Sequence, residues 1–365
     1  MTDKVKNVVI TITFLFVIII IMLLNFIKKD EEISITERRK LVLFPEFSFS
    51  KLIDGSFIKK FENYTMDQFI KRDEFRKLKV VIEQKVLGRN DSNQIYKYND
   101  SLIKQEYPLN EKSVLNLTKK INQIKNMYLN ETNNIYYSIV PDKNYYTDEQ
   151  KYLKMDYSKI EQIMQENLID MEYIDIFDIL KLEDYYYTDT HWKQEKLQKV
   201  LDKISTKMNF KDRLKTNFEL KEITNFKGVY SGQLPLDTKE DCIKILTNNI
   251  IEASKVYNYE TNKETKVYDL EKINSIDKYD IYLSGATPLL KITNPNTKTK
   301  KELVVFRDSF GSSIIPLFTE AYKTITVVDT RYISSSLLKE YVEFENKDVL
   351  FIYSTLIVNN SSTLK

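Results

Sequence analysis

The strongest constraint on this chain is an apolar run near its N-terminus. Val8 to Ile27 spans twenty positions without a charge, and a helix of that length covers a hydrocarbon core of ~30 Å. The run is too long for a typical signal-peptide core and has no small-x-small cleavage site. We therefore expect an uncleaved, single-pass anchor in the cell membrane, with a short cytoplasmic tail and an extracytoplasmic C-terminal domain. The alternative is a helix buried in a soluble core.

Composition narrows the classes of function. Lys and Arg total 55 against 53 Asp and Glu, which gives a net charge of +2. The chain thus lacks the excess of basic residues that is typical of proteins that bind phosphate backbones, and we expect no nucleic-acid partner. The single cysteine, Cys242, allows neither an intrachain disulfide nor a cysteine-based metal site. With 42% apolar residues, the part beyond the anchor can bury a globular core.

The chain divides by pattern into three parts. Residues 1–29 are the tail and anchor, residues 30–110 form a polar approach segment that acts as a stalk or a lid, and residues 111–365 alternate between helical and strand patterns. The pattern predicts helices over Val114–Tyr128, Tyr157–Asp170, Trp192–Met208 and Gly311–Tyr322, and strands over Ile135–Val140, Tyr173–Phe177, Glu302–Phe306, Thr324–Val328 and Val349–Tyr353. This alternation predicts an α/β fold: a mostly parallel sheet flanked by helices on both faces, with chemistry at the carboxyl ends of the strands.

One tetrapeptide, Asp189-Thr190-His191-Trp192, contains the only histidine and the only tryptophan of the chain. Histidine is the side chain suited to proton transfer near neutral pH, so histidine-based acid–base chemistry would have to use His191. Asp189 would lie on the same face of an extended segment and could orient the imidazole. Two alternatives stay open: a histidine with a purely structural hydrogen bond, and a metal site completed by carboxylates such as Glu183 and Asp184.

A second motif, Asp308-Ser309-Phe310-Gly311, follows a predicted strand and precedes a predicted helix. A serine in that position can be an exposed nucleophile, with backbone N–H groups nearby to stabilise an oxyanion. The alternative is a helix cap made by serine and aspartate side chains. Combined with the tetrapeptide, the motif predicts a triad in which Ser309 is the nucleophile, His191 the general base and Asp189 the residue that fixes the tautomer.

These motifs resemble a known family. Tyr186–Trp192, Val305–Phe310 and Thr326–Tyr332 are similar to conserved blocks of the SGNH-hydrolase-like proteins of the alginate O-acetyltransferase type, which include the DHHW proteins. Segments between Arg38 and Asp73, and Val140-Pro141-Asp142-Lys143, also match the DHHW pattern. The Asp-x-His block precedes the serine block, as in that family and opposite to ordinary SGNH hydrolases. Two positions depart from the superfamily pattern: Arg307 replaces a glycine, and Ser284-Gly285-Ala286 stands where relatives have Gly-Asn.

The resemblance implies an SGNH-like fold and a catalytic triad at Asp189, His191 and Ser309, without metal or cofactor. It implies an extracytoplasmic O-acyl(acetyl)transferase that modifies hydroxyls of a cell-surface or exported polysaccharide, often beside a membrane-bound O-acyltransferase partner. For the oxyanion we expect the backbone N–H of Ser309, with Arg331 and Tyr332 as further candidates. The remaining aromatic candidates for substrate contact are Tyr185, Tyr186, Tyr187, Trp192 and Tyr230.

Two other functions use the same residues differently. If water replaces the sugar hydroxyl, the protein is a polysaccharide O-acetyl esterase. If there is no catalysis, it is an envelope protein that binds glycan or holds a membrane O-acyltransferase. An intact Asp-x-His and serine set favours an enzyme.

Overall fold

The computed structural model describes residues 2–34, 36–235 and 238–365. The chain forms two compact units. Unit 1 comprises residues 1–93 and 232–237, and unit 2 comprises residues 94–231 and 238–365. The predicted boundaries at residues 29 and 110 stay predictions.

Unit 1 begins with α1 (Asp3–Ile27), which buries none of its residues. Within the described residues it is the one helix long and apolar enough to cross a membrane. The approach segment contains short helices separated by turns; Lys71 (φ 52°) adopts a left-handed conformation just before one of them. The further elements of this part are β1 (Ile33–Ser34), β2 (Arg39–Lys40), α2 (Phe49–Ile53), α3 (Ser56–Asp67), α4 (Arg72–Val81), a π-helical turn (Ile82–Val86) and β3 (Asp91–Ser92).

The elements that follow along the chain are β4 (Ile95–Tyr98), β5 (Ser101–Lys104), α5 (Glu111–Tyr128), β6 (Asn134–Val140), α6 (Tyr157–Asn167), β7 (Glu172–Tyr173), α7 (Gln198–Lys207), β8 (Glu219–Phe226), α8 (Val229–Gln233), β9 (Asp241–Thr247), α9 (Asn249–Ala253), β10 (Lys255–Asn258), β11 (Lys263–Lys266), β12 (Leu289–Thr293), β13 (Glu302–Arg307), α10 (Gly311–Ile314), β14 (Thr324–Val328), β15 (Asp348–Ser354) and α11 (Thr355–Val358).

Unit 2 is built on an eight-stranded sheet in the order β11-β10-β12-β14-β13-β15-β6-β7. The five strands from β14 to β7 are parallel, while β12, β10 and β11 extend the sheet in antiparallel fashion. The predicted mostly parallel α/β sheet is therefore confirmed. The antiparallel extension was not predicted, because strands such as Lys255–Asn258 lack a continuous apolar run.

Alternate side chains of the central strand enter two separate cores. Leu303 and Val305 of β13 pack into the core that contains the apolar residues of α7, whereas Val304 and Phe306 pack into the core that contains those of α5 and α6. Four consecutive apolar residues in a β-strand can fill a core on each face of the sheet, because successive side chains point to opposite faces. Helices thus cover both faces of the sheet, as predicted.

Four predicted elements are shorter than expected. The helix predicted over Tyr157–Asp170 ends at Asn167. The strand at Tyr173–Phe177 reduces to β7, because the Asp175 side chain accepts the backbone N–H of Phe177 at 2.9 Å and turns the chain. The segment Trp192–Met208 contains a 3₁₀ turn (Gln194–Lys196) before α7. After α10 the chain continues as a 3₁₀ helix (Ile315–Ala321), where Pro316 has no N–H for an α-helical bond.

Candidate active site

The carboxyl end of β13 holds the predicted nucleophile. The strand ends at Arg307, and Ser309 lies partly exposed in the turn that leads into α10. Asp308 shapes this turn: one carboxylate oxygen accepts the N–H of Phe310 at 3.0 Å, and the other accepts the N–H and hydroxyl of Ser354 at 2.7 and 2.6 Å. Because Ser354 ends β15, the turn is fastened to the neighbouring strand.

The Asp-x-His pair lies in a closed loop, ahead of the 3₁₀ turn (Gln194–Lys196) that precedes α7. Tyr185 and Trp192 form an isolated antiparallel bridge that closes the loop. Asp189 Oδ1 accepts both the backbone N–H and the Nδ1 of His191, at 3.1 and 2.6 Å. An ionised carboxylate only accepts hydrogen bonds, so Nδ1 carries the hydrogen and Nε2 is left with its lone pair.

That lone pair faces the serine. His191 Nε2 lies 2.8 Å from Ser309 Oγ. Asp189 and His191 are buried, at 0% and 6% exposure, whereas the serine is open to solvent in part. The structure therefore brings all three predicted triad residues into one line of hydrogen bonds, with geometry suited to deprotonation of the serine hydroxyl.

A backbone segment that the sequence did not single out completes the environment of Asp189. The N–H of Val229 donates to Asp189 Oδ2 at 3.0 Å, and the N–H of Gly228 donates to the hydroxyl of Thr188 at 2.7 Å. A Cβ on Gly228 would lie 2.4 Å from the Cβ of Asp189. The glycine is therefore required for this close approach; its rarity, as one of six in the chain, was the only available signal.

The buried ammonium of Lys143 binds the carbonyl groups of the loop. It follows β6 and is 2% exposed. Its Nζ donates to the backbone oxygens of Leu102, Tyr186, Tyr187 and Asp189 at 2.6 to 3.1 Å. Burial lowers the pKa of Lys143 to about 7, while the charges of Asp241 and Asp189 act in the opposite direction.

Asp241, at the start of β9, binds the N–H groups of the same loop. Its carboxylate accepts the backbone N–H groups of Tyr187 and Thr188, both at 2.7 Å, and the hydroxyl of Thr188 at 2.6 Å. Burial raises the pKa of Asp241, and these hydrogen bonds oppose the shift. A cation and an anion thus hold opposite polar groups of the loop that carries Asp189 and His191.

The imidazole also has an aromatic neighbour that sequence reasoning missed. Tyr279 stacks on His191 with ring centroids 3.8 Å apart, and its hydroxyl lies 2.8 Å from Ser313 Oγ. The pKa of Tyr279 is raised, mainly because the residue is buried. Tyr279 lies 88 residues from His191 in a short 3₁₀ turn, and one tyrosine among 25 carries no distinguishing pattern.

Trp192 supports the serine turn and has no surface to offer a substrate, in contrast to our expectation. It is fully buried, and its Nε1 donates to the Phe310 carbonyl at 3.1 Å and to Ser313 Oγ at 2.8 Å. Tyr185, Tyr186 and Tyr230 are likewise buried. Of the five aromatic residues considered for sugar contact, only Tyr187 is partly exposed.

Arg331 and Tyr332 follow β14, the strand next to β13. Arg331 binds both oxygens of Asp329, at 2.9 and 2.6 Å, and its guanidinium lies 5.4 Å from the centre of the Tyr332 ring. Tyr332 is 45% exposed. The guanidinium is thus engaged by a carboxylate, and the role of both residues at an oxyanion stays a prediction.

The two departures from the superfamily pattern are hydrogen-bonded to each other. Arg307, fully buried, donates to the carbonyl of Gly285 at 2.9 Å and lies 3.4 Å from Asp329. The arginine thus connects the loop before β12 to the strand that precedes Ser309. A Cβ on Gly311 would lie 2.6 Å from the Arg307 side chain. Only glycine therefore fits at that position of α10 without a clash.

The backbone of the serine turn leaves one donor available. The N–H of Phe310 donates to the Asp308 side chain, and the N–H of Gly311 donates to the Asp308 carbonyl. The N–H of Ser312 donates to the Ser309 carbonyl. Within the described residues, the N–H of Ser309 has no acceptor. The described residues contain no group of three or more His, Cys, Asp or Glu side chains that could hold a metal.

Fold and site together define an α/β protein with a Ser–His–Asp hydrogen-bonded set at the carboxyl edge of its sheet. No family model and no curated protein matches the chain. Among solved structures, a DHHW family protein from Eubacterium siraeum has a TM-score of 0.59 and 17% identity, over 75% of this chain and 94% of that one. Bacillus cereus PatB1 with a sulfonyl adduct has a TM-score of 0.57 and 16% identity, over 72% of this chain and 95% of that one. The chain shares the fold of these proteins.

Proposed function

We propose that this chain is a member of the DHHW group and a serine-dependent O-acyltransferase that acetylates hydroxyls of an extracytoplasmic polysaccharide. The observation that carries the proposal is the line of contacts from Asp189 Oδ1 to His191 Nδ1 (2.6 Å) and from His191 Nε2 to Ser309 Oγ (2.8 Å). The motif resemblance and the fold shared with a DHHW protein support the assignment.

In the first half-reaction, His191 Nε2 takes the proton of Ser309 as Oγ attacks the acyl carbonyl. The oxyanion of the tetrahedral intermediate accepts a hydrogen bond from the N–H of Ser309, the donor without an internal partner. The imidazolium, stabilised by Asp189, then protonates the leaving group, and the acyl group remains on Ser309 as an ester.

In the second half-reaction, a sugar hydroxyl replaces the leaving group. It gives its proton to His191 Nε2 and attacks the Ser309 ester; the serine oxygen leaves and recovers the proton. The same histidine serves both steps, which is consistent with its being the only one in the chain. Polysaccharide is the acceptor and no cofactor takes part.

We infer that this chemistry takes place outside the cell. In the proposal α1 crosses the membrane once and unit 2 lies on the extracytoplasmic side. A membrane-bound O-acyltransferase is the proposed partner, because an acyl donor made in the cytoplasm has to cross the bilayer before Ser309 can receive its acyl group.

The test uses the full-length protein incubated with an aryl acetate or an aryl sulfonyl fluoride, followed by intact mass measurement and peptide mapping. We expect an acetyl or sulfonyl group on Ser309, by analogy with the sulfonyl adduct of PatB1. Ser309→Ala and His191→Gln should abolish the adduct, whereas Ser336→Ala, an exposed serine outside the site, should not.

The fate of the acetyl group separates the functions. Transfer to an added glycan establishes the transferase, whereas discharge to water alone indicates an esterase. Absence of any adduct in folded protein would contradict an enzyme that acts alone and would favour the scaffold function.

A further inference from the structure

Unit 1 contains an apolar cavity of about 550 Å³ along the candidate spanning helix. Ile18, Ile21 and Met22 of α1 line one side of it, and Phe44, Phe61 and Phe69 line the other. A volume of this size is in the range of small-molecule sites. The lining is apolar over most of its area, which suits hydrocarbon and gives water few partners.

Polar contacts hold the approach segment to the outer end of α1. Asn25 Oδ1 accepts the N–H of Ile70 at 2.7 Å, and the Tyr64 hydroxyl donates to Asp30 at 3.0 Å. The Gln68 side chain bonds both the N–H and the carbonyl of Glu31, at 3.0 and 2.9 Å. These bonds satisfy the polar groups at this end of the cavity and keep α3 beside the helix.

The cavity extends into the depth of the span. Ile18 precedes Ile27 by nine residues, which corresponds to about 13 Å along an α-helix. If α1 crosses the membrane, Ile18 and the side chains facing it lie below the headgroups, where the surrounding solvent is lipid hydrocarbon.

The wall opposite α1 continues as an aromatic cluster. The rings of Phe44 and Phe61 lie 6.0 Å apart, those of Phe57 and Phe61 lie 6.0 Å apart, and those of Phe47 and Phe57 lie 5.3 Å apart. Phe47 and Ile53 are 57% and 85% exposed. An exposed apolar surface of this kind is unusual for a protein face in water and typical of an interaction surface.

The helix α3 has the two faces of an interfacial helix. Phe57, Phe61 and Tyr64 follow one another at helical spacing on the cluster side, whereas Lys59 and Asn63 are exposed polar residues on other sides of the helix. An amphipathic helix of this type lies in the membrane surface with its apolar face among the acyl chains.

We propose that this cavity binds the acyl chain of a membrane lipid in the extracytoplasmic leaflet, with α3 and Phe44 as its outer wall. The inference rests on the anchor included in the proposed function. It adds a second membrane contact to unit 1, made by a bound lipid between the span and the approach segment. We favour lipid over a protein helix because the cavity is continuous with the apolar surface of α1 itself.

The experiment uses the full-length chain in lipid nanodiscs with a Cys242→Ser background and an environment-sensitive NBD fluorophore on one introduced cysteine. Thr65→Cys places the probe at the cavity wall, Asn63→Cys places it on the polar face of the same helix, and Phe14→Cys places it in the middle of α1. The quencher is phosphatidylcholine with a nitroxide on its acyl chain. Far-UV circular dichroism of each labelled chain, compared with that of the original protein, verifies its fold.

We expect the loss of emission at residue 65 to match that at residue 14, with little loss at residue 63. Quenching at residue 14 but not at residue 65 would overturn the lipid site while leaving the anchor intact, and would point to a partner's transmembrane helix as the occupant. Equal quenching at residues 63 and 65 would also overturn it, since α3 would then be immersed on all sides. No quenching at any position would remove the anchor and the lipid site together, whereas the acetyl adduct on Ser309 tests the chemistry independently.

Discussion

The phenol ring of Tyr279 lies parallel to the imidazole of His191, with 6° between the two ring planes and 3.8 Å between their centroids. The tyrosine is buried at 3% exposure and its hydroxyl is hydrogen-bonded to Ser313. Stacking fixes the plane of the imidazole, and that plane contains both the bond to Asp189 and the contact with Ser309. Tyr279 is thus a positioning residue for the proposed general base.

Tyr279→Leu should lower the rate constant for acylation of Ser309 by about 10-fold or more, because a misplaced base loses much of its effect, with little change in KM. Tyr279→Phe keeps the stacked ring and loses one hydrogen bond of ~1 kcal/mol, so its rate should stay close to that of the original protein. Stopped-flow acylation with an aryl acetate measures both. Equal loss in the two variants would show that the hydroxyl, and not the ring, is what the site needs.

Asp189→Asn should reduce acylation by about three to four orders of magnitude, the scale of tautomer loss in Ser-His-Asp sites. The N–H of Val229 keeps an oxygen on its side of residue 189, so the amide NH₂ of asparagine would face His191 Nδ1. The imidazole would then carry its hydrogen on Nε2 and could not accept the proton of Ser309.

The tautomer can be observed directly, because His191 is the only histidine. In ¹⁵N-histidine NMR spectra the protonated nitrogen should change from Nδ1 in the original protein to Nε2 in Asp189→Asn. A variant that acylates within about tenfold of the original rate would contradict a triad role for Asp189.

Lys143 should make stability depend on pH. Its folded-state pKa, about 7, lies below its ordinary value of 10.5, so between these values the unfolded chain binds more protons at this position. The free energy of unfolding contributed by this group therefore rises with pH across that window, by up to ~1.4 kcal/mol per pH unit. In Lys143→Met this contribution is absent, so the stability difference between original and variant should widen from pH 7 to pH 9.

The same variant leaves four buried carbonyls without their shared donor. With a folded-state pKa of about 7, the amine is neutral at pH 9 and has two N–H groups. Its removal costs ~1–3 kcal/mol for each of two hydrogen bonds, so we expect a net loss of about 3 kcal/mol at pH 9. Urea unfolding of both proteins at each pH provides the measurement, with Lys339→Met as an exposed control. A constant difference over this pH range would show that Lys143 keeps one protonation state throughout.

Gly228→Ala should displace Asp189. Its Cβ would lie 2.4 Å from the Cβ and 2.5 Å from the backbone of Asp189, so the loop has to move, at a cost of ~1–3 kcal/mol in stability. Acylation of Ser309 should fall even at temperatures where the variant is fully folded. An unchanged acylation rate in folded Gly228→Ala would mean that the loop adjusts without disturbing the His191–Asp189 bond.

Much of the site was predictable because its residue types are rare or occupy characteristic places. His191 is unique, Asp189 is its near neighbour, and Ser309 follows a strand whose inner residues, Leu303 to Phe306, are all apolar. The strands β6, β13, β14 and β15 were recognised for a similar reason: burial on both faces produces a short stretch of mostly apolar residues. Trp192 shows the limit of this reasoning, since an aromatic residue next to a candidate general base can face either a substrate or the core.

The sequence by itself determined the anchor-like helix, the alternation that builds the sheet, and the three side chains able to form a triad. Only the tertiary structure decided which groups hold that triad: the ring of Tyr279, the N–H of Val229, and the opposite charges of Lys143 and Asp241 around one loop. The physical reason is that periodicity records burial along a segment of chain. The partner of a buried hydrogen bond is set by where distant segments meet, and that is decided by the order of strands in the sheet.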